Sequence, residues 1–379
     1  MDPALLVIVV VTTALAFDFT NGFHDTANAM ATSIATGALR PRVAVALSAV
    51  LNLAGAFLSI EVAKTISGGI VDETRISPAV IFGGLIGAII WNLVTWYVGL
   101  PSSSSHALFG GLIGATWVSS GIGAVHFAKV VEKVLVPAVV APIVAGLVAT
   151  LATYLTYRLT RKADRKTVNR GYRAGQVVSA ALVSLAHGTN DAQKTMGIIT
   201  LTLIASGSLA AGAGPPVWVI ISAGVAIAAG TYLGGWRITQ TLGKKLTTIE
   251  APQGFAAQTS SAAVILASSH VGFALSTTHV CSGGVMGSGL GREPAGVRWG
   301  VFGRMALAWL VTLPAAGLVG ALAGTVAAHG TVGVLSVAAV GVLVSLGIYF
   351  ASRRRPVRPE HVVDEIAPQV EEHSIQAAA

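Results

Sequence analysis

The sequence predicts an all-α polytopic membrane protein of two inverted-topology repeats, with broken helices, re-entrant hairpins and about 11–12 transmembrane segments. Three observations carry this expectation. Hydrophobic residues make up 53% of the 379-residue chain and charged residues only 11%, less than half the roughly 25% usual in globular domains. The charges are gathered rather than spread, with dense runs at 158–173 and after Ala351. Finally, two motifs recur in the same order in each half of the chain.

Apolar tracts mark the crossings in order. In the first half they are 4–39, 43–60, 79–99, 103–120 and 134–157. In the second they are 174–207, 216–236, 259–275, 277–290 and 299–323, with a last one at 331–350. The tracts 4–39 and 174–207 exceed one crossing and contain Gly22 and Gly188, where helix breaks are expected. The tracts 103–120 and 277–290 are rich in Gly and Ser, and Pro101 precedes the first, so re-entrant hairpins are expected there. The chain divides into a first repeat (1–157), a basic cytoplasmic loop (158–173), a second repeat (174–323), an additional helix (324–351) and a charged tail (352–379). The tail lacks apolar periodicity and is expected to be disordered.

Lys and Arg in short loops orient the spans. Arg40/Arg42, the run Arg158–Arg173, Lys244/Lys245, Arg292/Arg298 and Arg353–Arg355 all fall on one side if the two long tracts cross once each. The mixed loop Glu61–Arg75 falls on the other, which puts the amino terminus outside and the tail inside. The net charge of +8 sits in loops and tail and forms no basic face, which excludes nucleic acid as a partner and leaves the lipid bilayer. The single cysteine, Cys281, excludes a disulfide framework or a Cys-rich metal site. The apolar start follows Met-Asp-Pro without a basic segment, so no cleaved leader is expected.

The repeat is explicit. Asn21-Gly22-Phe23-His24-Asp25-Thr26-Ala27-Asn28-Ala29-Met30 matches His187-Gly188-Thr189-Asn190-Asp191-Ala192-Gln193-Lys194-Thr195-Met196 at an offset of 166. Ser103-Ser104-Ser105-His106 matches Ser276-Thr277-Thr278-His279 at an offset of 173. Five crossings per half, an odd number, make the halves enter from opposite sides, the plan of many secondary transporters. Such a plan puts a site near the midplane between the halves.

An ionisable side chain inside a span costs several kcal/mol, so each needs a reason. Asp18, Asn21, Asp25 and Asn28 share one helical stripe, as do His187, Asp191 and Lys194. Both halves keep the aspartate, whereas Asp18 matches Ser184. The hydroxyls Ser102–Ser105 and Ser276–Thr278 are read as a lining, His106 and His279 as braces of the helix breaks, and His24, His126, His270 and His329 as structural or surface groups. Glycine pairs such as Gly83/Gly87 and Gly110/Gly114 suit close helix packing.

Hydroxyls and helix-end amides suit an oxyanion. Two aspartates repel a bare anion unless it brings protons or a cation. Phosphate brings protons at neutral pH and sulfate does not. Without a Walker A motif the energy must come from an ion gradient. An intramembrane hydrolase needs one nucleophile beside one base, whereas every candidate here occurs twice and no Gly-x-Ser-x-Gly elbow is present. The chain is therefore not read as an enzyme.

At these residues the sequence resembles the inorganic phosphate transporter (PiT) family, and Phe23–Ala29 and Asn190–Lys194 are similar to its bacterial low-affinity branch. The resemblance covers residues 4–350. It implies the re-entrant inverted-repeat fold, commonly as a homodimer, and a phosphate site at Asp25, Asp191, Ser103, Ser104, Ser105, Ser276, Thr277 and Thr278. A coupling-ion site falls on Asn21, Asn28, Asn190, Asp191 and Lys194. Sodium-coupled members tend to keep Asn-Asp-x-x-Asn in both copies, whereas this chain has His24 and Lys194 at two of those places. The expected coupling ion is therefore the proton, with Lys194 standing where a sodium ion would; sodium is the alternative. No resident cofactor is expected, and in this branch the cargo can also be a neutral complex of phosphate with a divalent metal.

Overall fold

The computed structural model describes residues 1–292 and 296–360. Among them the structure is helical apart from two isolated β-bridges, Val71–Val125 and Thr247–Val297. The first half runs α1 (Pro3–Ala35), α2 (Pro41–Gly55), α3 (Glu61–Gly69), α4 (Pro78–Val98), α5 (Ser104–Ser120) and α6 (Phe127–Val130). A π-helical turn at Val131–Leu135 carries α6 into α7 (Val136–Leu159). The second half runs α8 (Arg165–Ala205), α9 (Val217–Leu233), α10 (Trp236–Gln240) with a second π-turn at Thr241–Lys245, α11 (Ala251–His270), α12 (Thr277–Leu290) and α13 (Trp299–Ala327); α14 (Gly330–Arg354) follows.

Every tract expected to cross is helical, but the helices are of two kinds. Five are long and apolar enough to span a bilayer alone: Pro3–Ala35, Pro78–Val98, Phe127–Leu159, Trp299–Ala327 and Gly330–Arg354. The pair Val217–Leu233 and Trp236–Lys245 is long and apolar enough only when taken together, and it is bent by 60°. The bend falls at Gly234, whose φ of +74° suits glycine alone among common residues. By contrast α2, α5 and α12, of 15, 17 and 14 residues, fall short of the roughly 30 Å hydrocarbon thickness at 1.5 Å per residue. The remaining long helices, α8 and α11, are more polar and are not among these spans; the second half of α8 and most of α11 are buried.

The expected breaks in the two long tracts are absent. Both α1 and α8 run without interruption through Gly22 and Gly188. These glycines serve helix crossings instead: a Cβ at Gly188 would lie 2.6 Å from Asn52 Cα in α2, and one at Gly22 would lie 2.8 Å from the Thr231 nitrogen in α9. The chain is broken at the hairpin tips, between Val98 and Ser104 and between His270 and Thr277. The basic stretch is only partly a loop, because Asp164 caps α8 by accepting from the Thr167 N–H at 2.9 Å and starts the helix at Arg165. That bond, joined by the Thr167 hydroxyl, holds the exposed Asp164 carboxyl below the ordinary carboxylate range. As for the expected tail, α14 continues to Arg354, and residues 361–379 lie outside the described residues.

The halves interlock. α1 packs on α9 and α2 on α8; α13 packs on the hairpin α4–α5, and α7 on the hairpin α11–α12. Both exchanged helices carry an internal proline, Pro142 in α7 and Pro314 in α13. The expected glycine packing recurs on both sides: a Cβ at Gly114 would lie 2.6 Å from the Gly317 carbonyl carbon, and one at Gly287 the same distance from that of Gly146. Backbone-to-backbone approach of this kind is the usual way apolar helices associate where no hydrophobic drive exists. The bridges are also equivalent. Val71–Val125 ties the open end of the first hairpin and Thr247–Val297 that of the second.

Candidate substrate site

Asp25 lies ten residues, about 15 Å, before the end of α1, half a hydrocarbon thickness from that end of the helix. Both hairpin tips reach this depth. Ser104, opening α5, donates to Asp25 Oδ2 at 2.7 Å. Thr277 and Thr278, opening α12, donate to Asp191 Oδ2 at 3.1 Å and to Asp25 Oδ1 at 3.3 Å. The second tip thus touches the carboxylates of both halves, and Asp25, His187 and Asp191 offer oxygen and nitrogen atoms that all lie within 4.8 Å of one another. All three side chains are buried.

The six motif hydroxyls divide by role. Ser103 and Ser276 cap α5 and α12, accepting from the N–H groups of His106 at 3.1 Å and His279 at 3.3 Å. Ser105 donates to the Leu275 carbonyl at 2.9 Å and ties one tip to the other. Only Ser104, Thr277 and Thr278 address the carboxylates. Two helix N-termini, each with unfilled first-turn amides, therefore converge on an acidic pair. Trp309 of α13 holds the first tip by donating to the Pro101 carbonyl at 3.0 Å.

The asparagines and the lysine are placed differently from one another. Asn28 donates to Thr278 at 3.0 Å, and Asn190 donates to Ser269 at 2.9 Å, pinning α11 just before its tip. The side-chain oxygens of both lack partners among the described residues. Asn21 faces Asp18 rather than the acidic pair. Lys194 neither reaches the surface nor stays free: it is fully buried and ion-paired with Asp191. His187 Nε2 lies 3.0 Å from the other Asp191 oxygen. A cation could be held by the Asp25–His187–Asp191 trio, but the lysine ammonium already compensates Asp191.

Two further groups touch the site: His24, which sequence reasoning set aside, and Asn52, which it did not single out. His24 is fully buried, with Nδ1 2.6 Å from Asp25 Oδ1 and Nε2 3.1 Å from Thr95 Oγ1. Adjacent helical residues do not ordinarily face each other, which hid this contact. Asn52 of α2 lies with Oδ1 3.1 Å from His187 Nδ1 and donates to Thr231 at 2.8 Å. Its signal was a lone amide in an apolar tract. His106 and His279 brace the hairpins as expected, with ring centroids 4.9 Å apart, and the His279 ring lies 4.2 Å from Trp309.

Membrane-crossing helices around a buried mid-depth pair of carboxylates, met by two hairpin tips that bring hydroxyls and helix N-termini, are the architecture of a membrane transporter. The profile of the phosphate transporter family matches residues 21–320, and the chain belongs to that family, a multi-pass protein of the plasma membrane and a transporter rather than an enzyme. It is 59% identical over 355 residues to a probable low-affinity inorganic phosphate transporter of Mycobacterium bovis, covering 93% of this chain and 85% of that one. It is 41% identical over 324 residues to the protein so described in Bacillus subtilis, covering 84% and 96%. In fold it is similar to a solved sodium-dependent phosphate transporter, with a TM-score of 0.69 and 23% identity over 84% of this chain and 98% of that one.

Proposed function

We propose that the protein imports inorganic phosphate by proton-driven symport, alternating access around the Asp25–Asp191 site between two inverted halves. The observation that carries the coupling is the Lys194–Asp191 ion pair. With Lys194 compensating Asp191, Asp25 is the carboxylate of the pair that no lysine neutralises. An oxyanion entering such a low-dielectric site needs a positive charge to enter with it. Phosphate protonated at one oxygen donates to Asp25, while the hydroxyls of Ser104, Thr277 and Thr278 and the amides of two helix ends donate to the remaining oxygens. A divalent ion accompanying the phosphate would find its ligands in Asp25, His187 and Asp191.

Asp18 is the residue we assign to receive the coupling proton. It is fully buried, and neither carboxyl oxygen has a partner among the described residues. It faces Asn21 and Thr195, whose side chains also lack partners, with Asp191 and Lys194 the charged groups within reach. As a neutral acid it can donate to either oxygen. Sodium coupling is the second reading, favoured by the unpartnered amide oxygens of Asn28 and Asn190.

Labelled phosphate uptake into proteoliposomes separates the two. An inward proton gradient without sodium should drive uptake, and Asp18→Asn should uncouple it from the gradient while leaving phosphate binding in place. A strict sodium requirement would overturn the proton reading. The hydroxyls give a second expected result. Ser103→Ala and Ser276→Ala should each lower stability by about 1 kcal/mol through the lost cap, read as a fall in melting temperature. Ser104→Ala and Thr277→Val should instead raise the KM for phosphate with little change in melting temperature.

A further inference from the structure

Away from the substrate site, a cavity of about 870 Å³ opens between the end of α7, the start of α8 and the outer ends of α11 and α12. Its lining is graded. Along one face of α7 come Leu147, Leu151, Tyr154 and Arg158, spaced by four, three and four residues, and beyond the helix end come Arg161 and Arg165. Leu147 and Leu151 are 66% and 58% exposed and lie where α7 meets the hydrocarbon. The cavity therefore passes from an apolar wall through an aromatic ring to a cluster of guanidinium groups.

The charges in it are unequally matched. Its one carboxylate, Glu250, is already engaged: Arg292 pairs with it at 2.7 Å and the Tyr157 hydroxyl donates to it at 2.9 Å. Among the described residues Arg158 bonds to the Tyr154 hydroxyl alone, at 3.1 Å, and stands over that ring at 5.9 Å. Arg158, Arg161 and Arg165 make no ion pair among the described residues. Three uncompensated guanidinium groups above a lipid-facing apolar groove are complementary to an amphiphile with an anionic head. They lie on the side that the basic loops assign to the cytoplasm, where anionic lipids concentrate.

We propose that this cavity binds one anionic phospholipid, its phosphate on Arg158, Arg161 and Arg165 and an acyl chain along Leu147 and Leu151. A zwitterionic headgroup would bring an ammonium against the same arginines. Free phosphate would use the guanidinium groups and leave the apolar wall bare. The site is separate from the Asp25–Asp191 pair and stands whether or not the proposed coupling does.

Native mass spectrometry of the full-length protein, delipidated and then titrated with phosphatidylglycerol, phosphatidylcholine or inorganic phosphate, tests it. One phosphatidylglycerol should be retained in preference to phosphatidylcholine, and inorganic phosphate should not displace it. Combining Arg158→Ala, Arg161→Ala and Arg165→Ala should weaken retention about a hundredfold, at roughly fivefold per arginine. Leu147→Gln with Leu151→Gln reads the same site through its other wall and should also weaken it. Equal retention of the two lipids, undiminished retention in either variant, or displacement by inorganic phosphate alone would overturn the proposal.

Discussion

Phosphate uptake should be abolished by Asp25→Asn in a protein that still inserts and melts near the wild-type temperature. Asparagine is close in shape, and its single amide oxygen can still accept from one of Ser104 and Thr278, which now donate to different Asp25 oxygens at 2.7 and 3.3 Å. What it cannot do is supply the negative charge and the second acceptor oxygen that receive the O–H of the protonated phosphate. Asp191→Asn should abolish uptake too, but with a second consequence. It would leave the fully buried Lys194 ammonium without its counter-charge. Stranding one partner of a buried ion pair typically costs 3–5 kcal/mol, about half the stability of an ordinary domain. The expected signature is a large fall in melting temperature, recovered by adding Lys194→Met, with uptake still absent in the double variant. Near-normal uptake by Asp25→Asn would remove that residue from the site. Unchanged stability of Asp191→Asn would show that the lysine is compensated elsewhere.

Gly188→Val should prevent accumulation of folded protein. At this crossing even a single Cβ would lie 2.6 Å from Asn52 Cα, and real contacts of that kind need about 3.4 Å or more. Because the obstacle is backbone, no side chain can swing away, and α2 and α8 must part. Parting them draws His187 from Asn52, now 3.1 Å away, and moves Asp191 relative to Asp25. Overpacking of this kind costs 1–3 kcal/mol where neighbours can adjust and more where they cannot. Gly171→Ala is the control on the same helix. Nothing lies within 4 Å of its Cβ, and alanine is the better helix former by about 1 kcal/mol. Detergent-solubilised yield and melting temperature should fall sharply for the first variant and hold or rise for the second. Equal behaviour of the two would show that the glycine is not a packing requirement.

Much of the site could be read in advance, because the membrane makes polar residues conspicuous. Two aspartates and two hydroxyl clusters in otherwise apolar tracts, each recurring at a fixed offset, were enough to group Asp25 and Asp191 with both clusters, though not to single out Ser104, Thr277 and Thr278. The glycines were misread for a physical reason. A glycine that breaks a helix and one that lets another backbone approach have the same local sequence, and only the neighbouring α2 or α9 distinguishes them. His24 was set aside because its partner is the next residue, a spacing that periodicity treats as facing away.

What the linear chain determined is the solvent and the inventory. A run of apolar residues with its charges confined to ends dictates a helical membrane protein, since each buried peptide group must be satisfied within its own segment. Duplication dictates two equivalent halves. The tertiary structure decided which of six hydroxyls face the carboxylates and which cap helices, and that Lys194 turns inward to Asp191 rather than outward to the surface. Those choices depend on which backbone stands opposite at mid-depth: α7 from the first half against the second hairpin, α13 from the second half against the first. Contacts between residues more than a hundred positions apart leave no local trace.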